Sequence, residues 1–227
     1  MKQELLIGIT ESGVMHTDAD PPIPLDTKFQ MVKESGVYDY FDKTPPLELE
    51  DDYRRCSEKY ELPILAGGWF YVLGRDEDLL MENLRLGARL GSLVHNTQIM
   101  MDHQDGSLVS DEQVVEIYLR AYETGEACGC RPTFEVHVNM WSEDFRRIEK
   151  VADLVEKQGI PFRMTLDHSH VIFKIDNPRE QEVFNIRESI ENGDLVLDPF
   201  QDNHVCGKWI DRGFANHCHA RAAVPNN

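Results

Sequence analysis

Three short apolar runs in the second half of the chain end in residues able to do acid–base or metal chemistry: TFEVHVN at 133–139, MTLDHSH at 164–170 and NHCHAR at 216–221. Alternate residues of a strand share a face, so Glu135, His137 and Asn139 are expected on one face, and His217, His219 and Arg221 on another. If those faces point inward, carboxylates, imidazoles and a guanidinium meet at one place. Burying them without partners would cost several kcal/mol each, and a shared metal ion is the natural compensation. A mixed oxygen and nitrogen donor set of two carboxylates and one imidazole suits Mn²⁺, Mg²⁺, Co²⁺ or Fe²⁺ better than thiolate-seeking metals.

Such residues must be held by a rigid frame, and the rest of the sequence supplies one. Apolar runs at Leu5–Thr10, Val37–Phe41, Pro63–Phe70, Leu93–Met100, Thr133–Val138, Phe162–Asp167 and Gly213–His219 read as strands, with amphipathic stretches between them. That alternation predicts parallel strands joined by crossover helices, one strand short of a closed eight-stranded barrel. Val114, Val115, Tyr118 and Tyr122 share one helical face, and Phe145, Ile148, Val151, Ala152 and Val155 another. Ser110 with Gln113 predicts a capping box, Ser142 an N-cap, and Gly91, Gly129 and Gly159 helix ends. Residues 177–212 exceed a minimal βα unit and read as an insertion at the strand-end face, with a helix over Arg179–Glu191. The whole, residues 1–227, reads as a single (β/α) barrel domain that is incomplete at its C-terminus.

With 41 acidic against 23 basic residues the formal charge is −18, which would repel phosphate backbones and argues against a nucleic-acid partner. No stretch is long and apolar enough to be a membrane span. Five cysteines in no zinc-ribbon spacing, and an N-terminus without an apolar leader, fit the cytoplasm. Cys128-Gly-Cys130, at a helix end, is expected to be structural. His16, His95, His103 and His204 lack the strand-end context, with His95 and His103 retained as secondary candidates for substrate contact.

At the three strand ends the motifs E-x-H (Glu135, His137), D-x-S-H (Asp167, Ser169, His170) and H-x-H-A-R (His217, His219, Arg221) resemble the xylose isomerase-like barrel superfamily of sugar phosphate isomerases and epimerases. The resemblance follows the order of units along nearly the whole chain and also takes in the C-glycoside deglycosidase α-subunits. It implies a divalent metal, Mn²⁺ foremost, on Glu135, Asp167 and His219. The eighth-strand Glu of that family has no counterpart after His219, so the expectation is a barrel truncated after its seventh strand or completed by another chain. The reaction it implies is proton abstraction beside a carbonyl of a sugar or polyol, through a metal-stabilised enediolate. Glu135 and His137 would be catalytic, with His170, Arg221 and His217 around the substrate. Two further readings stand beside it. One is a lyase on the same site, acting on keto-inositols or 3-oxo-C-glycosides; the other is a degenerate, non-catalytic barrel. A homo-oligomer or a small partner subunit is compatible with each.

Overall fold

The computed structural model describes residues 5–15 and 22–221; His16 and residues 222–227 lie outside them. Each of the seven apolar runs overlaps a strand: β1 (Gly8–Thr10), β2 (Tyr40–Asp42), β3 (Ile64–Tyr71), β4 (Val94–Ile99), β5 (Arg131–Glu135), β6 (Met164–Asp167) and β7 (Ala215–His219). They form one sheet in sequence order, with β1–β2, β2–β3, β5–β6 and β6–β7 paired in parallel. This is an α/β fold of the (β/α)-barrel type. Successive strands are neighbours because each returns through a helix, the right-handed crossover that parallel pairing requires.

The helices between strands are α1 (Leu25–Ser35), α2 (Glu50–Tyr60), α3 (Glu77–Leu90), α4 (Asp111–Cys128) and α5 (Phe145–Glu156). The reciprocal box at the start of α4 forms as its spacing predicts: Ser110 N–H donates to Gln113 Oε1 at 2.8 Å, and Gln113 N–H to Ser110 Oγ at 3.2 Å. Gly91, Gly129 and Gly159 take φ of 96°, 88° and 76°, the left-handed turn that stops a helix cheaply without a Cβ. Beyond β6 come α6 (Ser169–Ile172), α7 (Pro178–Glu182), α8 (Arg187–Glu191) and α9 (Val205–Asp211). Among the described residues, no helix is long and apolar enough to cross a membrane.

Two expectations are corrected. The single helix over Arg179–Glu191 is broken, since Phe184 and Asn185 adopt φ of 61° and 51°, outside helical space. The N-cap of α5 is Asp144, whose Oδ1 accepts from Arg146 N–H at 3.2 Å, because Ser142 is engaged elsewhere: its Oγ donates to the Glu135 carbonyl at 2.6 Å.

Contacts divide the chain into two units. One comprises Met1–Trp69, Leu79–His95 and Glu123–Arg131, the other Phe70–Asp78, Asn96–Tyr122 and Pro132–Asn227. The first is centred on Phe29, whose ring stacks on Phe41 at 4.3 Å and meets Tyr53 edge-on at 6.2 Å. Cys130, also in the first unit, is buried without a disulfide partner, and burial pushes its thiol up to about 12, as befits a structural cysteine. In the second unit Tyr118 packs on Phe134 and Phe162 at 4.9 and 5.2 Å, and Phe145 meets Trp209 at 6.0 Å. Phe134 therefore faces the α4 helix while its neighbours Thr133 and Glu135 must face the other way.

Candidate metal and acid–base site

Register in the second unit decides what meets what. Asp167 lies opposite His219, Thr165 opposite His217, and Glu135 opposite Thr165. Lateral neighbours in a parallel sheet project to the same side, so Glu135, Asp167, His217 and His219 share one face. Cys218, between the two imidazoles, is exposed.

Glu135 has no exposed surface. Its Oε1 accepts from His219 Nδ1 at 2.8 Å, and its Oε2 from Asn96 Nδ2 at 2.7 Å and from Gln98 Nε2. Burial raises the pKa of such a carboxyl, but the His219 bond and charge, with the two amides, outweigh it and hold Glu135 below its ordinary value. Asp167, equally buried, accepts from Ser169 N–H at 3.0 Å and Ser169 Oγ at 2.5 Å on Oδ1. Its Oδ2 has charged or polar neighbours only: Arg221 at 2.6 Å, His170 Nε2 at 3.4 Å and His219 Nδ1 at 4.0 Å. Burial again opposes ionisation, and His170, Ser169 and Arg221 together hold the carboxyl well below the usual range.

Two buried polar atoms here, Asn96 Oδ1 and His170 Nε2, make no well-formed hydrogen bond, and Asp167 Oδ2 is met by the Arg221 ion pair. Unsatisfied buried groups of this kind are costly. Ligand atoms of Glu135, Asp167 and His170 all lie within 4.8 Å of one another. The oxygen-rich donor set with imidazole fits a hard or borderline divalent cation.

His137 stands beyond the end of β5, where its N–H is taken by Ser142 Oγ at 3.2 Å. Its ring lies 3.8 Å from that of His170 and 6.2 Å, edge-on, from the exposed Phe70. Nδ1 sits 2.5 Å from the Val138 carbonyl, which only an N–H can satisfy, so Nε2 carries the free lone pair. Burial lowers the His137 pKa, only partly opposed by that carbonyl. The expected third member of this face does not join it: Asn139 turns to φ 64° and is exposed, since the chain leaves the strand after Glu135.

His217 is directed along the sheet. Its Nδ1 lies 3.2 Å from Thr165 Oγ1, which is 2.7 Å from Thr133 Oγ1, and burial lowers its pKa to about 4. Arg221 is half-exposed and committed to Asp167. Of the secondary candidates, His95 is fully buried with Nδ1 3.2 Å from Thr44 Oγ1, and burial lowers it to about 3. His103 pairs with Asp105 at 3.1 Å in the loop before α4.

No protein-family model and no curated protein sequence matches the chain. Among solved structures it superposes on 3-keto-D-glucoside 4-epimerase YcjR from E. coli with a TM-score of 0.57 and 11% identity, covering 99% of this chain and 94% of that one. A xylose isomerase domain protein from Planctomyces limnophilus gives 0.51 and 11%, over 79% and 71%. The IolI protein, solved with a bound zinc atom, gives 0.52 and 15% over 73% of this chain, which spans 64% of the IolI chain. The fold is that of the xylose isomerase-like barrels.

Within that barrel fold, two residues of the site escaped the sequence: Asn96 and Gln98, alternate residues of β4 that grip one oxygen of Glu135. The signal available was the run His95-Asn96-Thr97-Gln98, four polar side chains inside a buried strand. Buried amides at alternate positions imply a polar partner on that face.

Proposed function

We propose that this protein is a divalent-metal-dependent enzyme of the sugar isomerase/epimerase type, which moves a proton at a carbon next to a carbonyl. The observation that supports it most is the pair of buried carboxylates, Glu135 and Asp167, held ionised beside His219 and His170, with ligand atoms of Glu135, Asp167 and His170 within 4.8 Å of one another. In this reading Glu135, Asp167 and His219 hold the metal, with His170 close enough to add a donor. Bound there, a divalent ion supplies positive charge where negative charge develops on the substrate's carbonyl oxygen.

The chain's own groups do the rest. Asn96 and Gln98 donate to Glu135 Oε2, keep that carboxylate charged and fix its orientation. His137, neutral at physiological pH and with its Nε2 lone pair free, accepts the α-proton and returns it. The Phe70 ring, exposed and edge-on to His137, offers an apolar face to the C–H side of a sugar. Arg221 lends positive charge at the open side of Asp167.

The same base would expel a substituent placed β to the carbonyl, the lyase reading, and the likeness to a 3-keto-D-glucoside epimerase makes keto-glycosides the compounds to try. Epimer formation supports the first reading and loss of the substituent the second. Ahead of any substrate, calorimetric titration of the metal-stripped protein with Mn²⁺ is expected to show one saturable site, abolished in Asp167→Asn. A wild-type protein that takes up no divalent cation would end the metal-dependent reading in both forms.

A further inference from the structure

We infer that the buried pair Glu143–Lys174 is a positioning device that sets the imidazoles of His137 and His170 against each other. Lys174 has no exposed surface and Glu143 almost none, and Lys174 Nζ lies 2.7 Å from Glu143 Oε1. Removing an ammonium from water is so unfavourable that a fully buried ion pair is weak as a source of stability; its best-attested use is to fix one arrangement over others. What this pair joins is specific. Each partner sits at the root of a segment that carries one of the two imidazoles.

On one side, Lys174 lies one helical turn after His170, and its N–H donates to the Val171 carbonyl at 3.1 Å, continuing α6. On the other, Glu143 closes the turn that follows β5. Its Oε2 accepts the N–H of Asn139 at 2.5 Å, where the backbone has φ 64°, and the adjacent Ser142 ties the His137 N–H to the Glu135 carbonyl. The Glu143 end thus fixes where His137 leaves the strand, the Lys174 end fixes where His170 leaves its helix, and the bridge locks the two together. Lys174 Nζ also donates to the Glu180 carbonyl at 2.9 Å, so the start of the 177–212 excursion hangs from the same ammonium. The 3.8 Å ring separation is the distance this lock sets. Its use in turnover rests on the acid–base role proposed for His137, whereas the ring geometry does not.

The test reads that geometry directly, in metal-free full-length protein labelled at histidine, as the nuclear Overhauser effect between the His137 and His170 ring protons. The effect is expected in the wild type and is expected to be lost in Glu143→Gln/Lys174→Met, which removes both charges and leaves no lone buried ion. Tyr118–Phe162 ring contacts should persist in that variant, reporting an intact core. Glu143→Asp keeps the charge but shortens the arm by one methylene, and is expected to shift the His137 ring resonances and weaken the effect. This second variant decides the matter if the double variant does not fold. Ring contacts as strong in the variants as in the wild type, or absent from the wild type, would overturn the inference even if the proposed reaction were established; a protein that neither binds metal nor turns over a sugar would leave it standing.

Discussion

Replacing His137 with Ala is expected to lower kcat by on the order of 10²–10⁴, the usual contribution of a positioned general acid/base, while metal bound per chain stays that of the wild type. The expectation rests on the placement of the imidazole outside the carboxylate cluster, with Nδ1 spent on the Val138 carbonyl and the ring against His170 and Phe70. Because burial lowers its pKa, the base is already deprotonated at neutral pH, so the acid limb of kcat/KM should fall below the ordinary imidazole range of about 6.5. Metal content and turnover measured on the same preparations separate the alternatives. If the variant instead loses metal and recovers activity with excess metal, His137 supports a ligand and proton transfer returns to Glu135.

Removing the Lys174 ammonium alone, as Lys174→Met, is expected to destabilise the fold by about 3–5 kcal/mol, the cost of stranding a buried charge without its partner. Glu143 would be left with Asn139 N–H as its remaining bond. Removing Glu143's charge as well, in the double variant, should recover much of that loss, since a buried pair contributes little net stability over neutral groups of similar size. Urea unfolding of the three proteins measures it. A single variant within about 1 kcal/mol of the wild type, the value of an exposed ion pair, would mean that water reaches Glu143 and that the pair is not a closed lock.

The strands were legible because each apolar run had to be buried on one side at least, and the register of β6 with β7 then brought Asp167 opposite His219 with no further information. Strand ends were less so. β1 is shorter than its apolar run because Ile7 is tied at N–H and carbonyl to Asp39, a loop residue 32 positions away. The alternation Glu135, His137, Asn139 failed at its last member for a similar reason: the Glu143 carboxylate and Ser142 hydroxyl, from a turn with no local signature, bend the chain out of the strand. The residue type of Ser142 and the acids after it allow a helix cap, but tertiary hydrogen bonds outbid the local one. Lys174 gave no sign at all. It stands in the apolar run Val171-Ile172-Phe173-Lys174-Ile175, but a lysine there can still carry its ammonium out to water, and only the fold reveals that it is enclosed.

The hydrogen bond from His219 to Glu135 spans 84 residues of chain, and every candidate ligand comes from the β5–β6–β7 side of the sheet. Contacts of such long sequence separation are paid for in loop entropy before they return anything, so they form late and slowly. The site therefore does not exist until β7 has docked, and under the proposed metal dependence a cation that binds only the docked state would pull β7 into place by mass action. Metal supply during synthesis would then govern how long the edge of β6 stays open to pairing with another chain, making the ion a guard against misassembly before it is anything else.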